Sequence, residues 1–185
     1  MAYRSGTYVA FHAAGTTDPT ASDIKYYNLM RAWTELEDTE FSFVNSHEKA
    51  AAVRDGSSRQ RLRSVLSERL RNSKNMVLVL GETTRFDSDW VPFEISYAVD
   101  TCAIPIIAAY PGYEYILDPA ALARTWPQAL TERILSSAAH VIHVPFRRAV
   151  VSAAIKQFSH NNYPNGSGLG RYSTEAYASF GITVR

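Results

Sequence analysis

The stretch MVLVL, residues 76–80, decides the fold. Its apolar run is unbroken, with Asn75 before it and Gly81-Glu82 after it. A strand with one wet face alternates apolar and polar residues. A short continuous run suits a central strand of a parallel sheet, covered on both faces.

Working outward, the same strand character recurs in YVAFHA (8–13), FSFVN (41–45), AIPIIAA (103–109) and HVIHV (140–144). Between these runs the pattern changes to helical spacing. Tyr26, Leu29, Met30, Trp33 and Leu36 mark a helix over 22–38, with Ser22 or Asp23 as its cap. Leu62, Val65, Leu66 and Leu70 mark a second, begun by a capping-box pair, Ser57 and Gln60. SDWVPFEISYA (88–98) gives a third, with Asp89 as a candidate cap and Pro92 in the first turn, where a missing N–H costs little. Residues 118–137 are helical in composition and broken at Pro127, and 147–158 closes the series.

Strand and helix alternate throughout, so short right-handed crossovers predict an α/β fold, a doubly wound sheet of five parallel strands in the order 2-1-3-4-5. Residues 1–158 form this domain; 159–185, beginning SHNNYPNGSGLG, is expected to be a loosely attached C-terminal extension. Ligands of such sheets bind beyond the carboxyl ends of the strands, where the winding reverses. That rule selects the loops after the first three strands and the helix after the third.

The totals exclude several functions. A net charge of +1 gives no electrostatic case for nucleic acid. No segment resembles a signal peptide or membrane span, and Cys102 is the only cysteine, so a cytoplasmic protein is expected. His140 and His143 point to opposite faces of their strand and do not share a metal. Gly166, Gly168 and Gly170 lack the βα unit of a dinucleotide fingerprint. The arginines among 59–71 read first as a solvated face and second as a protein-contact surface.

Glu94 is the unusual residue. It lies among Trp90, Val91, Phe93, Ile95 and Tyr97 with no opposite charge nearby in sequence. On the residues alone it reads either as an edge-of-core glutamate reaching solvent or as a catalytic carboxylate. Trp90 and Glu94, four apart, share one helix face. From position alone, Phe11 reads as core unless its strand position faces the loops, where it would pack on a base or nicotinamide ring, and His12 is placed to meet phosphate or ribose. Asn45 and Ser46 follow the second strand at the ligand edge, with Asn45 a partner for ribose hydroxyls or simply a turn-shaping residue. Arg54 or Arg85 is placed to meet a pyrophosphate.

YVAFHA, FSFVNS, MVLVLGETT and DWVPFEISYA together resemble the TIR-like domains of bacterial antiphage systems, nearest to the Thoeris ThsB family. Trp90-x-x-x-Glu94-Ile95 is the most specific part of the likeness. The resemblance implies a flavodoxin-like fold and an enzyme that consumes NAD as substrate, without a bound cofactor. It implies a cyclic or otherwise modified ADP-ribose that activates a nucleotide-responsive effector after a phage-derived trigger, with a homo-oligomer as one mode of assembly. It assigns the catalytic role to Glu94. Nicotinamide in NAD leaves neutral and needs no protonation, so one carboxylate suffices where most glycosidases use two. Rival expectations are a non-catalytic TIR-like assembly module, working through the loop 47–58, and a nucleoside deoxyribosyltransferase-like enzyme.

Overall fold

The structure, a computed structural model, describes residues 4–14, 22–36 and 56–185. The expected strand FSFVN, Asn45, Ser46, Arg54 and most of the loop 47–58 lie outside the described residues.

The described elements are β1 (Gly6–Ala10), α1 (Ile24–Leu36), α2 (Gly56–Arg71), β2 (Ser73–Val79), α3 (Trp90–Ser96), β3 (Ile106–Tyr110), α4 (Gln128–Leu135), β4 (Val141–Pro145), α5 (Arg148–Gln157), β5 (Gly170–Arg171) and α6 (Thr174–Ser179). Among the described residues these five strands pair in parallel in the order β1-β2-β3-β4-β5; the expected order 2-1-3-4-5 turns on FSFVN, outside them. The fold is the expected α/β, flavodoxin-like one.

MVLVL occupies the body of β2, paired to β1 on one side and β3 on the other. Met76, Val77, Leu78 and Val79 are wholly buried, as a strand covered on both faces requires. Helices cover both faces. Leu62, Leu66 and Leu70 of α2, Trp90, Val91 and Ile95 of α3, and Leu130 and Ile134 of α4 pack on Tyr8, Met76, Leu78 and Ile106. Ile24, Tyr27 and Met30 of α1 and Val150, Val151, Ala154 and Ile155 of α5 pack on Val9, Val77, Val79 and Ile107.

Four of the five observed strands match expected ones; the fifth does not. It comes from the C-terminal segment, where Gly170 and Arg171 pair with Ile142 and His143. The segment 159–185 is therefore built into the sheet and is not loosely attached. It first follows the amino ends of the strands. The His160 N–H donates to the Lys74 carbonyl (2.9 Å), the Tyr163 hydroxyl donates to the Ala103 carbonyl (2.7 Å), and the Tyr163 ring stacks on His140 with centroids 4.3 Å apart. Tyr177 of α6 is then wholly buried, hydrogen-bonded through its hydroxyl to the backbone of Ile116.

The glycines of this segment have a structural use. A methyl group on Gly168 would stand 2.8 Å from the Ile134 side chain and one on Gly170 2.5 Å from the Val141 carbonyl oxygen. Both let the backbone approach the core closely.

Pro127 does break its region, into a 3-10 turn (Ala120–Thr125) and α4. His140 and His143 do part company: His143 is buried while His140 meets Tyr163. Cys102 is buried and free.

Candidate active site

α3 starts at the carboxyl edge of β2, after a loop and a 3-10 turn, Thr84–Phe86. Asp87 sets its start. One carboxylate oxygen of Asp87 accepts from the backbone N–H groups of Asp89 (2.8 Å) and Trp90 (3.0 Å). Asp87, not Asp89, supplies the capping side chain, and Asp89 makes no side-chain cap bond. The negative charge meets the positive end of the helix. Pro92 falls in the first turn as expected. Past Ser96 the helix widens into a π-helical turn, Tyr97–Thr101.

Asp89 is instead an anchor for α2. It forms ion pairs with Arg59 and, at 3.6 Å, with Arg63. The guanidinium groups of Arg59, Arg63 and Arg71 also lie over the rings of Trp90, Phe93 and Tyr97, at 5.9, 5.2 and 5.4 Å. These arginines are therefore not merely a solvated face. They hold α2 against α3 through cation–π contacts and charge.

Glu94 faces the sheet. Its exposure is 0%, and Trp90, Val91 and Ile95 are buried beside it on the same helix. The edge-of-core reading, with a head reaching solvent, is excluded. The Tyr8 hydroxyl donates a hydrogen bond to Glu94 Oε1. Tyr8 is itself wholly buried at the centre of β1, opposite Met76 of β2. Burial, then the charge and hydrogen bond of Glu94, push the Tyr8 phenol well above its usual pKa, while Arg69 of α2 acts the other way through its charge. The phenol thus stays protonated and remains a donor.

His12 lies beyond the end of β1 and is half-buried. Its Nε2 is 4.0 Å from Asp87 Oδ2, next to the start of α3. Alternation along the strand puts Tyr8, Ala10 and His12 on one side. Tyr8, Glu94, Trp90, Asp87 and His12 therefore occupy the same side of the sheet, Tyr8 at the centre of β1 and His12 and Asp87 beyond the carboxyl ends of the strands. His12 Nδ1 and Trp90 Nε1 are buried there without a protein hydrogen-bond partner.

Phe11 does not join this group. It is wholly buried on the other face, packed on Tyr27 with ring centroids 5.3 Å apart. The expected role for Phe11 on a nicotinamide or base is replaced by a core role, because one residue along a strand reverses the face. Arg85 is exposed, lies over the Phe86 ring at 4.4 Å, and donates to the Arg124 carbonyl.

A second polar knot ties the first two carboxyl-edge loops together. The Thr84 hydroxyl lies 2.8 Å from Asp23 Oδ2 and 3.0 Å from the Val79 carbonyl, and accepts from the Gly81 N–H at 2.9 Å. The Asp23 N–H donates to the His12 carbonyl. Burial raises the Asp23 pKa. A methyl on Gly81 would stand 1.9 Å from the Asp23 carboxylate, so glycine alone allows the approach. At α1 it is Ser22 whose hydroxyl accepts from the Ile24 N–H, leaving Asp23 for this knot.

Sequence reasoning missed Tyr8, Asp87 and the Asp23–Thr84 pair. Tyr8 had a usable signal: a phenol inside a strand buried on both faces must find a hydrogen-bond partner.

A parallel sheet covered by helices on both faces, with a buried glutamate on the helix leaving a central strand and a tryptophan one turn earlier, is an α/β protein of the flavodoxin-like class. Residues 8–115 match the family model of the Thoeris protein ThsB, TIR-like domain. The chain belongs to that family and is a TIR-like protein of Thoeris antiphage defence. Among the described residues no helix is long and apolar enough to cross a membrane.

Proposed function

We propose that this protein cleaves the bond between nicotinamide and ribose in NAD, with Glu94 as the catalytic carboxylate. The observation that carries the reading is Glu94 itself. A wholly buried glutamate sits one turn inside α3, held by Tyr8, within the span that the family model matches. Burying a carboxylate is costly, and an apolar residue of similar size would pack α3 against β1 at less cost. Function is the reason to retain it.

In the reaction Glu94 stabilises positive charge at the anomeric carbon and holds ribose hydroxyls as the neutral nicotinamide departs. Trp90 excludes water beside it. The ADP-ribosyl group then closes on itself or passes to another acceptor, giving the signal for a nucleotide-responsive effector. His12, Asn45 and Ser46 are the remaining proposed contacts. With Glu94 wholly covered, the described form is the resting one, and a phage-derived trigger or self-assembly uncovers the carboxylate.

The test uses protein drawn from infected cells, incubated with NAD and followed by mass. Wild type releases nicotinamide and forms a modified ADP-ribose; Glu94→Gln does neither. A wild-type sample that protects cells yet leaves NAD intact would sink the proposal. The second reading, a non-catalytic assembly module, is favoured by the same burial, since the Tyr8 bond also fits a purely structural glutamate. It predicts that Glu94→Gln keeps antiphage protection.

A further inference from the structure

We infer that Tyr8 is a positioning residue for Glu94, fixing the carboxylate through Oε1 so that its other oxygen is presented in one orientation. The inference rests on the NAD-cleaving reading.

A glutamate has three rotatable side-chain bonds, and α3 fixes only its Cα. Trp90, Val91 and Ile95 are buried beside it on α3. Tyr8 donates to one of its carboxylate oxygens. It comes from the centre of β1, the strand paired to β2, so the donor stands on a rigid sheet and not on a loop. Its ring is wholly buried in the cluster that includes the apolar residues of α2 and α3. A hydrogen bond from a neutral phenol to a carboxylate is short, directional and strengthened where water is excluded. It occupies one oxygen and leaves the plane of the group defined. For a reaction in which one carboxylate meets both a developing positive carbon and ribose hydroxyls, a fixed orientation lowers the barrier.

A residue acting in this way changes turnover more than substrate affinity. Tyr8→Phe keeps the ring and removes only the donor. The expected result is a fall in kcat of about 10- to 100-fold with KM within about twofold. Tyr177→Phe is the control. It removes a hydroxyl from an equally buried tyrosine that bonds the Ile116 backbone, so it lowers the unfolding midpoint while kcat per folded molecule stays at the wild-type level. If Tyr8→Phe does not fold, tyrosine C–O infrared bands of the folded wild-type protein, compared with those of Glu94→Leu, report the bond directly. A shift supports it.

Unchanged or increased turnover in Tyr8→Phe overturns the inference; an increase would mean that the phenol only covers the site. So would a wild-type spectrum without the shifted band. If wild type turns over NAD, Glu94→Gln does not, and Tyr8→Phe matches wild type, the inference alone falls. If Glu94→Gln also turns over NAD, the enzymatic assignment of Glu94 falls with it.

Discussion

Tyr8 and Tyr110 are both buried on the same face of the sheet, on β1 and β3, and each hydroxyl meets a titratable side chain. Around Tyr110 the chain of bonds is neutral and complete. Trp126 Nε1–H donates to the Tyr110 hydroxyl (2.7 Å), which lies 2.7 Å from His143 Nδ1; His143 Nε2 lies 2.9 Å from the Gly168 carbonyl. With Nε2 protonated, every donor points one way and no charge is needed. Burial holds His143 neutral, with its pKa pulled down from 6.5 to about 4. The chain ends on Gly168, so it fastens the C-terminal segment to β4. Around Tyr8 the partner is a carboxylate at the ligand half of the sheet. The contrast is between a neutral relay that ties down the C-terminal segment and a buried carboxylate that the proposed reaction would use.

The sharpest way to break the contrast is to disable each cluster and compare activity with stability. Glu94→Gln is isosteric and still accepts from Tyr8. NAD cleavage should fall by at least about 100-fold, the scale of losing a main electrostatic contributor at a reacting centre. The unfolding midpoint should stay within a few degrees. His143→Ala should do the reverse. It strands the Gly168 carbonyl and opens a cavity among Tyr110, Trp126 and Ile134, costing about 2–4 kcal/mol. The expected signs are a midpoint lower by roughly 6–12 °C and early proteolysis within 159–171, with cleavage per folded molecule retained. Equal activity losses in the two variants would erase the distinction.

The His143 relay also predicts a pH slope. The unfolded chain protonates His143 near 6.5 and the folded chain only near 4. Between those values the unfolded state binds more protons, so stability falls as pH falls and is constant above that window. The full shift corresponds to about 3 kcal/mol. Asp23 opposes it near the acid end, because its pKa is raised on folding: its contribution is complete below 3.8 and is lost as pH rises through the folded value. Denaturant unfolding from pH 7.5 to 4.5 should show the loss in wild type and a flatter profile in His143→Gln. Matching slopes in the two would refute a neutral, buried His143.

Much of the fold was legible because burial on both faces leaves an unmistakable sign. MVLVL in β2 and the strands after Pro105 and at 140–144 read as continuous apolar runs, and Pro127 broke its helix where local stereochemistry demanded. The docking of 159–185 was not legible. Its polar and glycine-rich composition matches a loose tail, and the glycines are there because Ile134 and Val141 leave no space for a Cβ, a fact only three dimensions contain. At the candidate site, the placing of Trp90 and Glu94 on one helix, four apart, was legible from spacing, and both are buried there. Phe11 took the core alternative, because alternation along the strand puts it on the face opposite Tyr8. Tyr8 was overlooked because a tyrosine inside a strand satisfies every strand preference, and nothing in sequence separates it by name from its partner 86 residues later.

The smallest effect concerns the two aspartates at the start of α3, and it probes how the site's helix is held. Asp87 accepts two backbone N–H groups and its carboxylate is only 6% exposed; Asp89 is 29% exposed and pairs with arginines that are about half exposed. A cap bond is worth about 1 kcal/mol, whereas ion pairs this wet contribute at most a few tenths to 1 kcal/mol. Asp87→Ala should therefore destabilise more than Asp89→Ala. Salt should separate them further: raising it to 1 M screens the pairs of Asp89 and leaves the cap bonds of Asp87. Asp87→Ala should also loosen the turn carrying Trp90 and remove the acid beside His12, raising KM for NAD. An Asp89→Ala variant that proves the more damaging, and insensitive to salt, would show that α3 is held by α2 and not by its cap.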